Sequence, residues 1–107
     1  MENLIELKEN ESLDILNEKG LILLDFHATW CGPCRNLSPI LNELANDNNN
    51  NLKIIKIDVD KNPDIASEYG VRGIPSVMIF KEGVEVNKFI GLKTKTEIQN
   101  IINSSLN

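Results

Sequence analysis

Leu21-Ile22-Leu23-Leu24-Asp25-Phe26 is apolar at every position but one, and Trp30-Cys31-Gly32-Pro33-Cys34 follows three residues after it. Successive side chains of a strand point to opposite faces, so a continuous apolar run needs cover on both sides, as in a parallel sheet. From Pro33 onward the period changes. Leu37, Ile40, Leu41, Leu44 and Ala45 stand at i, i+3, i+4, i+7 and i+8, a helical stripe. A two-sided strand that turns into an amphipathic helix is the repeating unit of an α/β sheet. Pro33 suits the first helical turn, where its missing N–H costs nothing. Pro39 removes an interior hydrogen bond, which predicts a kink.

The remaining chain supplies further elements in order. Asn3 to Leu7 alternates like a short edge strand, and Asn10 offers an N-cap for a first helix carrying Leu13, Ile15 and Leu16 and closed at Lys19-Gly20. Asn46 to Asn51 is a polar run, read as a solvated helix end and loop. Leu52 to Val59 is an isoleucine-rich strand. Asn62-Pro63 opens a short helix through Tyr69 that stops at Gly70. Ser76 to Phe80 and Val84 to Ile90 form strands around Lys81-Glu82-Gly83, a three-residue hairpin with its glycine in the left-handed position. Thr94-Lys95-Thr96-Glu97 is a capping box, and Ile98, Ile101, Ile102 and Leu106 stripe the last helix. The order is β-α-β-α-β-α-β-β-α: a mixed central sheet flanked by helices on both faces.

With 107 residues, no repeat and no linker, residues 1–107 form a single domain. Eleven basic residues scattered among sixteen acidic ones give a net charge of −5, which argues against a nucleic-acid surface. Leu21 to Leu24 is too short to span a bilayer. Met1-Glu2-Asn3-Leu4 lacks the basic and apolar segments of a signal peptide, so a cytoplasmic location is expected.

Both cysteines of the chain lie in one C-x-x-C. A pair so close cannot staple a fold by closing a long loop, and in a reducing compartment it does chemistry. Cys34 continues the helical stripe and should be buried. Cys31 precedes the stripe and should sit exposed at the helix N-terminus, where free N–H groups and the positive dipole end favour the thiolate. That assigns attack to Cys31 and resolution to Cys34. The spacer lets the two sulfurs close a disulfide, so the pair can cycle between dithiol and disulfide. An inert disulfide and a metal site are the competing readings. Zinc takes four ligands, and only His27 is available as a third, so no metal is expected.

Around this pair the chain resembles the thioredoxin family. The resemblance is carried by Asp25-Phe26, Trp30 to Cys34, Lys56, Asp60-Lys61-Asn62-Pro63, Tyr69 to Ser76 and Gly91, in order and at family spacing. It implies a thioredoxin fold, a buried acid–base role for Asp25 beneath Cys34 with Lys56 as its partner, and redox tuning by Gly32 and Pro33. It also implies a cis-proline at Pro75, and a shallow substrate rim formed by Trp30, Ile74, Pro75, Ile90 and Gly91. Physics agrees that an aspartate in an apolar strand holds its proton tightly; an aspartate solvated at a strand end is the plainer alternative. For Ile74 and Ile90 the plainer alternative is core packing. His27 replaces the family's usual aromatic residue, and Arg35 its usual lysine. An imidazole there either couples to the site near neutral pH or packs as a neutral group.

The resemblance therefore implies a monomeric protein-disulfide reductase acting on disulfide-containing client proteins. It binds no cofactor, and a separate thioredoxin reductase drawing on NADPH would re-reduce it. A partner-binding module with incidental redox state is one rival, against which the intact cysteine pair argues. A disulfide oxidase or isomerase is another, disfavoured by Gly32-Pro33 and by the absence of a signal sequence.

Overall fold

A computed structural model describes residues 4–9, 19–48 and 51–106. Its elements are β1 (Leu4–Glu6), β2 (Leu21–His27), α1 (Gly32–Asn48), β3 (Leu52–Asp58), α2 (Pro63–Glu68), β4 (Ser76–Lys81), β5 (Val84–Ile90) and α3 (Lys95–Leu106). The helix expected from Asn10 lies outside the described residues, up to Lys19-Gly20.

The five strands form one sheet in the order β1-β3-β2-β4-β5. β1, β3 and β2 run parallel, while β4 and β5 run antiparallel to their neighbours. The uninterrupted apolarity of β2 has its explanation here: it is the middle strand, paired on both edges and buried from Leu21 to Phe26.

Its alternate side chains feed two cores. Leu21 and Leu23 join Ile54, Val77 and Ile79 beneath Leu37, Leu41 and Leu44 of α1 and Ile98 and Ile102 of α3. Ile22, Leu24 and Phe26 join Ile55, Ile57, Met78 and Phe80 on the other face, closed by Ala66 of α2 and by Tyr69. Asp25 and His27 share the parity of Leu21 and Leu23, so both belong to the α1 face.

α1 buries Cys34, Leu37, Leu41, Leu44 and Ala45, the expected stripe with Ile40 left half-buried. It starts one residue earlier than expected, at Gly32, and continues beyond Pro39 to Asn48, taking in part of the asparagine run. There Asn48 Nδ2 donates to the Leu44 carbonyl and to Gln99 Oε1 of α3. The Thr94–Glu97 capping box closes in both directions, at 3.0 and 3.1 Å. Asn62 precedes α2 but makes no side-chain cap; its amide donates to the Asp58 carbonyl.

The hairpin corrects the expected loop. Lys81 pairs with Val84, so only Glu82 and Gly83 turn the chain. Both have positive φ, 50° and 85°, which is the type I′ pattern whose twist matches the flanking strands.

Candidate active site

Between β2 and α1 the chain makes a tight loop. The Cys31 N–H donates to the Ala28 carbonyl and the Arg35 N–H to the Cys31 carbonyl, both at 3.2 Å. The Arg35 guanidinium ties the loop back through Nη1 to the Thr29 carbonyl at 2.8 Å. Trp30 stands 66% exposed, its indole N–H fixed on Asp60 Oδ2 at 2.8 Å.

Cys31 and Cys34 form a disulfide with their Cα atoms 5.3 Å apart. They pack with Ala28, and Val59 and Ile74 lie against them. The expected contrast in exposure is absent in this disulfide form, since each cysteine is only 5% exposed. Cys31 is instead folded back over the helix start, where its Sγ accepts the Cys34 N–H at 3.2 Å. What separates the two sulfurs is that donor. Cys31 occupies the N-cap position, where free helix N–H groups and the dipole favour negative charge on sulfur.

Asp25 lies two residues before the end of β2 and is 2% exposed; its Oδ1 has no hydrogen-bond partner among the described residues. Burial pushes its carboxyl up to about 6 from 3.8. His27 and then Lys56 oppose the rise, and Glu6 adds to it. Lys56 is the cross-strand neighbour of Asp25 in β3, but its ammonium donates to Ser38 Oγ of α1 at 2.7 Å. Among the described residues no ion pair joins it to Asp25. His27, for its part, places Nε2 3.1 Å from Glu6 Oε2 of β1.

Ile74-Pro75 is cis, and the Pro75 carbonyl accepts the Gly91 N–H at 2.8 Å, joining the loop before β4 to the end of β5. Gly91 has φ 92°, a conformation that favours glycine. Trp30 and Ile74 line one shallow hollow with Val59, Val71 and Arg72. Ile90 lines a second with Val71, Arg72, Met78 and Phe89. Ile90 is 66% exposed, which removes core packing as its explanation, whereas Ile74 is half-buried against the cysteines. Gly32 and Pro33 occupy the first turn of α1, with Pro33 turned to solvent.

Sequence reasoning missed Glu6, Ser38 and the Asp60 contact of Trp30. The first two become neighbours of the site only through strand order and helix docking, which no local pattern carries. Among the described residues no three His, Cys, Asp or Glu side chains gather as a metal site. No described helix is long and apolar enough to cross a membrane.

A family model described as Thioredoxin matches residues 3–104. The chain is 40% identical over 97 residues to thioredoxin of Bacillus subtilis, covering 91% of this chain and 93% of that protein. It is 46% identical over 85 residues to thioredoxin of Listeria monocytogenes, covering 79% and 82%. Thioredoxin 1 of Synechococcus elongatus is 40% identical over 93 residues, covering 87% of each. A solved structure of a mutant thioredoxin from Halobacterium salinarum superposes with a TM-score of 0.87 at 34% identity, covering 98% of this chain and 92% of that one.

Proposed function

The chain belongs to the thioredoxin family of protein-disulfide reductases, and from that premise we propose how its own residues divide the thiol–disulfide exchange. The observation that carries the reading is the Cys31–Cys34 disulfide at the start of α1, with the Cys34 N–H on Cys31 Sγ.

In the dithiol form, Cys31 is the nucleophile. Its thiolate attacks one sulfur of a client disulfide, forming a mixed disulfide and releasing the other client sulfur as thiolate. Cys34 then gives its proton to the Asp25 carboxylate and attacks Cys31 Sγ. The Cys31–Cys34 disulfide forms, the second client thiolate leaves, and two electrons have passed to the client. A carboxylate titrating near 6 is mostly charged at pH 7 yet basic enough to take a thiol proton. Lys56 supplies a fixed positive charge on the neighbouring strand.

Gly32 and Pro33 set the turn between the sulfurs. Trp30, Ile74, Pro75, Ile90 and Gly91 form the rim against which an extended client segment docks. Family members need no bound cofactor. The reducing electrons come from NADPH through a separate flavoprotein thioredoxin reductase, and the protein acts as a cytoplasmic monomer on disulfide-bearing proteins.

Insulin reduction with dithiothreitol tests the assignment. Cys31→Ser should fall to the rate of dithiothreitol alone, and Cys34→Ser should accumulate a mixed disulfide through Cys31. Wild-type turnover by Cys31→Ser would overturn it.

A further inference from the structure

Glu6 and His27 meet across a strand that belongs to neither. β3 lies between β1 and β2, so their 3.1 Å contact spans two strand spacings, roughly 10 Å of sheet. Register explains how they come together: Glu6 lies opposite Lys56, and Lys56 opposite Asp25, so the three form one row on the α1 face. His27 is the next residue of that face along β2. The pair therefore arches over the polar end of the sheet, beside Asp25, whose Oδ1 is the buried carboxyl oxygen left unpartnered among the described residues.

We propose that His27, held by Glu6, is a positioning residue for the resolving step: as imidazolium it favours the Asp25 carboxylate, the form that accepts the Cys34 proton. The proposal rests on the reading of Asp25 as that acceptor.

The groups facing Asp25 leave this role to His27. From β3 comes Lys56, whose ammonium is engaged by Ser38. From β1 comes Glu6, whose negative charge disfavours the Asp25 carboxylate unless a cation compensates it. α1 brings the Ser38 hydroxyl that accepts from Lys56, and β4 presents apolar Val77. Opposite His27 in β3 stands Asp58, whose Oδ1 is taken by the Asp60 and Lys61 N–H groups. His27, held 3.1 Å from the Glu6 carboxylate, is the next side chain after Asp25 on that face. In keeping with the geometry, His27 exceeds Lys56 among the influences that hold the Asp25 carboxyl down.

Two measurements on one set of variants test it. The first is the titration midpoint of the Asp25 carboxyl, followed by carbon NMR in the disulfide form. The second is the release of the second thiol from Ellman's reagent by the reduced protein, which reads the resolving step. His27→Gln should raise the Asp25 midpoint by roughly half a unit to one unit, as for charges two residues apart on a strand face. Near pH 6 it should slow the second release about two- to fivefold. His27→Arg keeps a cation, so it should leave the midpoint level or lower, with resolution near the wild-type rate. Adding Glu6→Gln to His27→Gln should bring the midpoint back down, because the uncompensated carboxylate is gone; Glu6 is half-exposed, so this change leaves packing intact. A packing role alone would make Gln and Arg harmful alike. An unmoved midpoint in His27→Gln, or an upward shift in both His27 variants, overturns the proposal. If the midpoints move as stated while Asp25→Asn resolves at the wild-type rate, the Asp25 assignment falls instead, and the catalytic part of the proposal with it.

Discussion

A carboxyl that is 2% exposed with an unpaired oxygen favours its neutral form, and at Asp25 this sets stability against activity. Its folded value of about 6 lies above 3.8, so between those limits the folded state holds more protons than the unfolded one. Stability then falls as pH rises through the window, and the full cost, about 3 kcal/mol, is present above pH 6. Asp25→Asn should therefore be about 3 kcal/mol more stable than wild type at pH 7 to 8, with the advantage shrinking toward zero by pH 4. Urea unfolding across that range checks it, and a pH-independent difference would refute the burial argument. The same variant should resolve the mixed disulfide more slowly at pH 7, and wild-type resolution should slow as pH drops below 6. The buried aspartate was legible because one charge interrupts a run of five apolar residues. The exposure of Cys31 was not, because in the disulfide form its side chain folds onto the helix N-terminus. Nor was the Glu6 contact of His27, which depends on two strand registers.

At the level of elements, the hairpin shows how a turn can be placed correctly and typed incorrectly. Gly83 marks the reversal, but a two-residue type I′ turn also needs positive φ at the residue before it, and a glutamate there gives no such signal. Glu82 adopts φ 50° all the same, because the strand pairing on either side fixes the loop length. A left-handed conformation costs an ordinary side chain roughly 1–2 kcal/mol, and asparagine tolerates it better. Glu82→Asn should raise stability by about 0.5–1 kcal/mol, whereas Gly83→Ala, at φ 85°, should lower it by about 1–2 kcal/mol. Thermal melts of the two variants should shift in opposite directions, and a loss with Glu82→Asn would mean that the turn relaxes out of type I′ in solution. α1 was more legible. Its buried positions follow the apolar period back to Cys34, since helical spacing is encoded locally, and Pro39 did not end the element.

For the molecule as a whole, periodicity announced a sheet covered on both faces but not the order β1-β3-β2-β4-β5, because strand neighbours are chosen by pairing across the chain. That order makes the sheet a partition. Ile54 belongs to the core under α1 and α3, and Ile55, the next residue of β3, belongs to the core closed by α2. Both are buried to within 1%. The two cores share every strand backbone, so neither can be lost while the other keeps its sheet, and the domain should unfold as one unit. Ile54→Val and Ile55→Val should each cost about 0.5–1.5 kcal/mol through the removed methylene and the space it leaves. Their side chains have different neighbours, so the double variant should lose the sum to within about 0.5 kcal/mol. Unfolding followed by far-ultraviolet circular dichroism and by Trp30 emission should give coincident transitions in all three variants. Separate transitions, or an Ile54 variant that shifts only the Trp30 signal, would show that the α1 face and its disulfide open independently of the α2 face.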